Sequence, residues 1–256
     1  LAQADEIIRR SEEAGVWVCA CHQNRFNLAV QKMRAALEEG RFGKLSHGSV
    51  QVLWHRSQEY YRQADWRGSW AKDGGCLMNQ CLHGIDLLLW MMGGRAVEVC
   101  GMLANRFHPE IEVEDLGMAL VRFAGGETAL IEGTTNVYPE NLEECLSLFG
   151  QAGTARLGGK SANKIKEWQF ADPRPGDEET RFFEEETDSV YGNGHQALYA
   201  DMIGAIREKR PPYVDARAGR AAVELILAIY KSARTGRPVS LPLGDFSAKE
   251  MEGFRP

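Results

Sequence analysis

"DGGCLMNQCLHGIDLLLWMMG" occupies residues 73–93. Asn79, His83 and Asp86 recur at intervals of four and three, just above and just below one helical turn. One helix over Cys76–Met92 would therefore line all three along a single stripe. Leu77, Met78, Leu82, Ile85, Leu88, Leu89 and Met92 fill the rest of its surface. Burying polar groups in such company costs free energy unless they are bonded or used. Histidine is the side chain best suited to exchange protons near neutrality, and Asp86, one turn on, could bond the imidazole and fix its tautomer. The other reading of the same spacing is a structural histidine tied to Asp86 inside the core. Gly74 and Gly75 allow a sharp turn before the helix, whose first N–H groups would point outward and favour partial negative charge.

Working outward, residues 3–14 read as an amphipathic helix that Gly15 ends. "VWVCAC" (16–21) reads as a short buried strand, and 27–39 as a helix capped near Asn27. Helix then strand is half of an α/β repeat. "KLSHGSVQVLWHR" (44–56) is strand-like, and 57–75 is a long aromatic loop. Strands are expected near 96–104, 115–123, 127–137 and 144–150, with a Gly-Gly hairpin in "RFAGGETAL". "GTARLGG" and "IKEWQF" suggest two more. Residues 171–188 form an acidic, solvated stretch, and helices at 195–209 and 216–235 close the chain. The fold class is α+β with an α/β remnant in front: a large, open, mostly antiparallel sheet backed by helices.

The 256 residues are ample for a full core, and their net charge is −6 with no basic block, which argues against nucleic acid and anionic membrane as partners. No apolar run is long enough for a membrane span, and no segment reads as a signal peptide. The six cysteines lie in apolar stretches with no Cys-x-x-Cys pair and no zinc-ligand histidine, so no metal is expected. They read as reduced, buried thiols of a cytoplasmic protein. The chain begins at Leu1, on a helix already under way, and is expected to be the downstream part of a longer protein.

Further candidates surround the central helix. His22, Gln23, Asn24 and Arg25 follow the expected strand, where open α/β sheets bind ligands; they could equally be a polar turn capping the next helix. "ADWRGSW" offers stacking surfaces and a guanidinium, or a loop stapled to the core by Trp66 and Trp70. Asn136 and Tyr138 face a ligand or belong to a turn before Pro139. His195 caps a helix or stands near the site. His47, His55 and His108 show no partner pattern. The G-x-G-x-x-G dinucleotide fingerprint is absent.

Taken together, "HQNRF", "WRGSWAKDGGCLMNQCLHGIDLLLWMMG", "IEGTTNVYPENLEECLSLFGQAGTARLGG" and the segment from "HQALYADMIGAIREKRPPY" to "PVSLP" resemble the Gfo/Idh/MocA family of NAD(P)-dependent oxidoreductases. The likeness spans nearly the whole chain. It is strongest to the UDP-N-acetylglucosamine and UDP-N-acetylglucosaminuronate 3-dehydrogenases. The resemblance implies a Rossmann domain followed by an α/β domain whose open sheet binds substrate and makes subunit contacts. Residues 1–26 would be the end of the first, and 27–256 the second, giving a homo-oligomer. It implies that His83 is the active-site histidine. Asn79 stands where many members have Asp; it cannot shuttle a proton, so it would orient. Cofactor contacts would come from Asn24, Trp66 and Arg67, and contacts to a sugar or sugar nucleotide from Arg25, Tyr60, Tyr138 and His195. The family's Gly-rich fingerprint and catalytic Glu-Lys-Pro lysine would lie before Leu1, so most of the NAD or NADP site would too, and this chain alone would be inactive. Cys81 replaces a frequent glycine, which suggests tighter packing there. The expected function is oxidation of a UDP-sugar hydroxyl. Alternatives are a stand-alone sugar-nucleotide-binding or assembly module, and an aldose or inositol dehydrogenase of the same family.

Overall fold

The computed structural model describes residues 1–187 and 189–256. Its alternating segments become eight strands: β1 Leu45–Leu53, β2 Ala96–Ala104, β3 Leu116–Phe123, β4 Thr128–Thr134, β5 Glu143–Gly150, β6 Gly153–Gly158, β7 Lys164–Phe170 and β8 Val239–Ser240. They form one open sheet in the order β7-β6-β5-β1-β4-β3-β2-β8. Only β1 and β4 run parallel, so the sheet is mostly antiparallel, as expected. The helices are α1 Ala2–Ala14, α2 Leu28–Glu38, α3 Gln58–Arg62, α4 Cys76–Asn79, α5 Leu82–Met91, α6 Asp177–Arg181, α7 Gly194–Glu208 and α8 Ala216–Thr235. None among the described residues is long and apolar enough to cross a membrane.

Strand alternation gives the sheet two unlike faces. Inward residues such as Val50, Val99, Val121, Ile131 and Leu148 are buried beneath α5 and α8. Asp215 caps α8 by accepting from the Ala218 N–H at 3.0 Å, and left-handed Gly236 ends it. On the other face Cys100, Met102, Met118, Leu120 and Leu130 stand exposed.

The central helix differs from its expected form. It breaks at Gln80 and Cys81 into α4 and α5. The Cys76 carbonyl accepts both the Gln80 N–H at 2.9 Å and the Cys81 N–H at 3.0 Å, so one turn is widened to π type. Packing explains the joint. Gly117 and Gly133 face each other across β3 and β4, and a Cβ on either would lie within 2.7 Å of Leu77 side-chain atoms. On Gly133 it would also stand 2.5 Å from the Cys81 sulfur. The helix is pressed into that notch at Cys81, in line with the tighter packing expected there. The inserted residue shifts the helical register between Asn79 and His83.

Other segments also depart from expectation. Residues 16–21 form no strand: Cys19 makes a single bridge to Asp215, because no neighbouring strand runs alongside, and Val16 and Trp17 stay exposed. Loop 57–75 contains α3. Asn27 holds the N-cap position of α2, yet its amide donates to the Ser161 carbonyl at 3.0 Å instead of capping. The acidic stretch is not simply solvated, since Asp177 accepts from Arg41 and from Trp168 Nε1. Residue 188, at its end, lies outside the described residues. All six cysteines are free, but Cys21 and Cys100 are exposed, because the first lies in an unpaired turn and the second on the open face.

Candidate active site

The turn ahead of α2 brings the pieces together. Residues Gln23–Phe26 wind into a single 3-10 turn, held by the Arg25 N–H donating to the His22 carbonyl at 3.2 Å. His22, Gln23, Asn24 and Arg25 are all buried against α5 and α7. Arg25 reaches Asp86 of α5 with two parallel bonds, Nε to Oδ2 and a terminal nitrogen to Oδ1, each 2.7 Å. Such a fork is the strong form of a guanidinium–carboxylate pair. The guanidinium also lies 5.0 Å over the Trp90 ring.

Asp86 therefore does not bond His83, one turn earlier. His22 stands between them. Its Nε2 lies 3.6 Å from Asp86 Oδ1, and its Nδ1 is 3.4 Å from Nδ1 of His83. The two rings meet edge to face, 5.6 Å apart. Burial, reinforced by the neighbouring His22, pushes the proton affinity of His83 down to a pKa of about 4, so its ring is neutral near neutral pH. Burial also lowers His22. Among the described residues no protein group bonds Nε2 of His83.

The start of α4 offers no open anion site. Glu114 fills it: its carbonyl accepts from the Cys76 N–H and its Oε1 from the Leu77 N–H, both at 3.0 Å, while the Gly75 N–H donates to the Tyr230 hydroxyl. A Cβ on Gly75 would lie 1.7 Å from Glu114, so glycine is required for this approach. Burial raises the Glu114 carboxyl to about 8. Neither this residue nor the buried Glu144 stood out in the sequence. Glu114 packs against Gly75 at the N-cap of α4 and Glu144 against Gly84 of α5, contacts that only the fold creates.

The other candidates divide. Asn79 donates to Asp73 and accepts from Gln80. Gln80 also donates to the Tyr60 hydroxyl at 3.0 Å. The Arg67 guanidinium stacks 3.9 Å from the Tyr60 ring and 4.9 Å from Trp66, and its Nε is buried without a partner. A guanidinium beside the exposed Trp66 ring offers a stacking surface of the kind a nucleotide uses. Asn24 fits one less well, because its amide donates to both Glu144 oxygens at 3.3 Å and accepts from Gln23. His195 opens α7 beside Tyr191, near enough for its charge to act on His83. Tyr138 is 89% exposed. Asn136 belongs to the fold, donating to Asp115 at 2.8 Å. No cluster of metal-ligating side chains occurs among the described residues.

Residues 30–156 match the family model described as the GFO/IDH/MocA C-terminal domain. The chain is also 38% identical to the WlbA dehydrogenase from Bordetella pertussis, solved in complex with NADH and UDP-GlcNAcA; the match covers 94% of this chain and 68% of that one, with a TM-score of 0.85. The chain belongs to the Gfo/Idh/MocA family. The WlbA dehydrogenase from Chromobacterium violaceum, likewise complexed with NADH and UDP-GlcNAcA, is 37% identical over the same shares, also with a TM-score of 0.85. A levoglucosan dehydrogenase in complex with NADH and levoglucosan shares the fold, with a TM-score of 0.75 at 19% identity over 90% of this chain and 68% of that one. No curated protein matches the chain. The His83 cluster, built on α5 where that helix meets both the sheet and the 22–26 turn, is the candidate active site.

Proposed function

We propose that the chain forms the substrate side of an enzyme that oxidises a sugar-nucleotide hydroxyl, at C3 of a UDP-sugar, with NAD or NADP. Residues 1–26 are read as the end of a Rossmann domain, and 27–256 as the substrate-binding and oligomerisation domain. One observation carries the reading. His83 holds a neutral, half-buried imidazole whose Nε2 is bonded by no protein group among the described residues and can take a proton. Identity of 38% to a dehydrogenase solved with NADH and UDP-GlcNAcA supports the substrate class.

When bound, the nicotinamide accepts the hydride. The remaining work falls to this chain. Nε2 of His83 takes the proton of the substrate hydroxyl, and Asn79 orients it. Arg67 and Trp66 hold the cofactor, while Tyr60, Tyr138 and His195 face the sugar nucleotide. Asn24 and Arg25, engaged by Glu144 and Asp86, stand behind the site and brace it.

Calorimetric titration of the chain with UDP-GlcNAcA, UDP-N-acetylglucosamine, glucose and myo-inositol tests the proposal. UDP-sugars should bind and free sugars should not. Binding of free sugars alone would move the protein to the aldose and inositol dehydrogenases.

The exposed apolar strip on β2–β4 is read as the contact with a second copy. Leu120 stands opposite both Cys100 and Leu130, and Met102 opposite Met118, so the strip is continuous. Leu120→Glu should convert an oligomer to monomer in sedimentation. A wild-type chain that sediments as a monomer would remove this part. The free thiols fit a reducing compartment, and we place the enzyme in the cytoplasm.

A further inference from the structure

The contact between His22 and His83 is a puzzle of protons. Two imidazole nitrogens face each other at 3.4 Å. Two lone pairs there would repel, and two N–H groups would collide. One ring must donate and the other accept.

Asp86 decides which. Its two oxygens accept the Arg25 fork at 2.7 Å, so it is an ionised carboxylate and can only accept. Its Oδ1 lies 3.6 Å from Nε2 of His22, a buried nitrogen with no other partner. The proton of His22 therefore belongs on Nε2, toward the negative charge. That leaves Nδ1 of His22 as a lone pair, which must accept from Nδ1–H of His83. Nε2 of His83 is then the lone pair, which no protein group bonds among the described residues.

We infer that His22 is a positioning residue: it passes the charge of Asp86 to His83 and fixes His83 as the Nδ1–H tautomer, with Nε2 as the base. The inference deepens the proposed dehydrogenase reading and rests on it only for the identity of the proton donor. In that reaction the substrate O–H bond breaks and its proton joins Nε2 of His83. The hydride leaves the same carbon for NAD(P), which is reduced as the alcohol becomes a ketone. The new imidazolium keeps its Nδ1–H bond to His22, and His22 keeps Nε2–H toward Asp86. One added positive charge is thus shared along a line that ends on a carboxylate. Arg25, through His22, and His195 oppose that charge, and Glu144 lies against Gly84 of α5 on the sheet side. The turn holds His22 firmly, with its N–H donating to the Ala20 carbonyl at 2.9 Å.

The test is a long-range proton–nitrogen correlation spectrum of the chain with 15N-labelled histidine, assigned with His83→Ala and His22→Phe. We expect His83 to be protonated on Nδ1 and His22 on Nε2. In His22→Phe, which keeps a ring but removes the acceptor, His83 should move toward the Nε2–H form. Wild-type protein with His83 protonated on Nε2 would overturn the inference, even if the variant does not fold. So would a His83 tautomer unmoved by His22→Phe. In the complete enzyme His22→Phe should lower kcat roughly tenfold or more, with KM little changed. The spectrum needs no turnover. If wild-type enzyme oxidises no sugar, the dehydrogenase reading falls while the tautomer result stands.

Discussion

The protein carries two buried histidine–carboxylate clusters, and they are built to opposite ends. At His108 both ring nitrogens are closed. Nδ1 meets Asp115 at 2.8 Å and Nε2 meets the Arg56 carbonyl at 2.7 Å. Asp115 also accepts from the Arg106 and Phe107 N–H groups and from Asn136. Burial pushes its carboxyl up, yet these bonds outweigh it and hold the group below its ordinary range. At His83 one nitrogen is bonded and the other is left over. Closing every valence stabilises a loop crossing. A proton can move only where one valence stays open. The difference separates structure from chemistry better than the presence of a histidine does.

The largest way to break the comparison is to open the closed cluster. Asp115→Ala removes the acceptor of four groups, and should cost about 3–5 kcal/mol of stability by leaving His108 and two backbone N–H groups unpaired. Chemical denaturation measures it. A loss below about 1 kcal/mol would mean that water replaces the carboxylate and the cluster is not structural.

Next comes His83→Ala, which should lower kcat of the complete enzyme by about a hundredfold, near 2.7 kcal/mol of barrier, while the melting temperature stays close to wild type. Wild-type turnover in this variant would sink the assignment of His83.

Glu144 sharpens the contrast by pH. Like Asp115 it is buried, but among the described residues only Asn24 donates to its side chain, through two long bonds, and burial raises it to about 7. Its unfolded value is near 4.5. Between these values the folded state holds a proton that the unfolded chain has released. The stability contribution is therefore full below about pH 4.5 and is lost as pH rises toward 7. Glu144→Gln cannot ionise. It should be about 2 kcal/mol more stable than wild type at pH 8 and nearly equal at pH 4.5. Some slope should remain, because Glu114, raised to about 8, acts in the same direction. Thermal melts at the two pH values decide it. An equal difference at both would show that Glu144 is ionised in the folded protein.

These contrasts also mark how far the sequence could be read. Seven of the eight strands and the long helices were legible, because alternation and turn residues act locally, as in "RFAGGETAL" and at Asp215 and Gly236. The two-residue strand β8 carries too short a pattern to find. The break at Gln80 and Cys81 was hidden, because its cause is a notch made by Gly117 and Gly133, some forty residues further along. The site was half legible. His83, Asp86 and Arg25 were marked by spacing and motif. The partner of Asp86 was misassigned, because a stripe on one helix cannot announce a side chain arriving from another segment. His22 was marked as a ligand-side candidate, but its place between Asp86 and His83 was missed for the same reason. Glu114 and Asp115 are adjacent, and nothing in "IEVEDLG" tells that one will be raised and the other lowered. Only the donors supplied by the fold decide that.

The smallest effect concerns Tyr138. Its ring is 89% exposed and touches neither cluster, so Tyr138→Ala should change stability by less than about 0.5 kcal/mol. An exposed aromatic gains value only when a ligand covers it. If Tyr138 packs on the sugar nucleotide, KM should rise several-fold with kcat unchanged, since a contact made equally in ground and transition states affects binding alone. His83→Ala should do the reverse and lower kcat with KM little moved. Steady-state kinetics on the two variants thus separate holding from reacting. If Tyr138→Ala leaves KM unchanged, the substrate lies nearer Tyr60 and His195, and the 134–139 turn serves only to close the His108 cluster through Asn136.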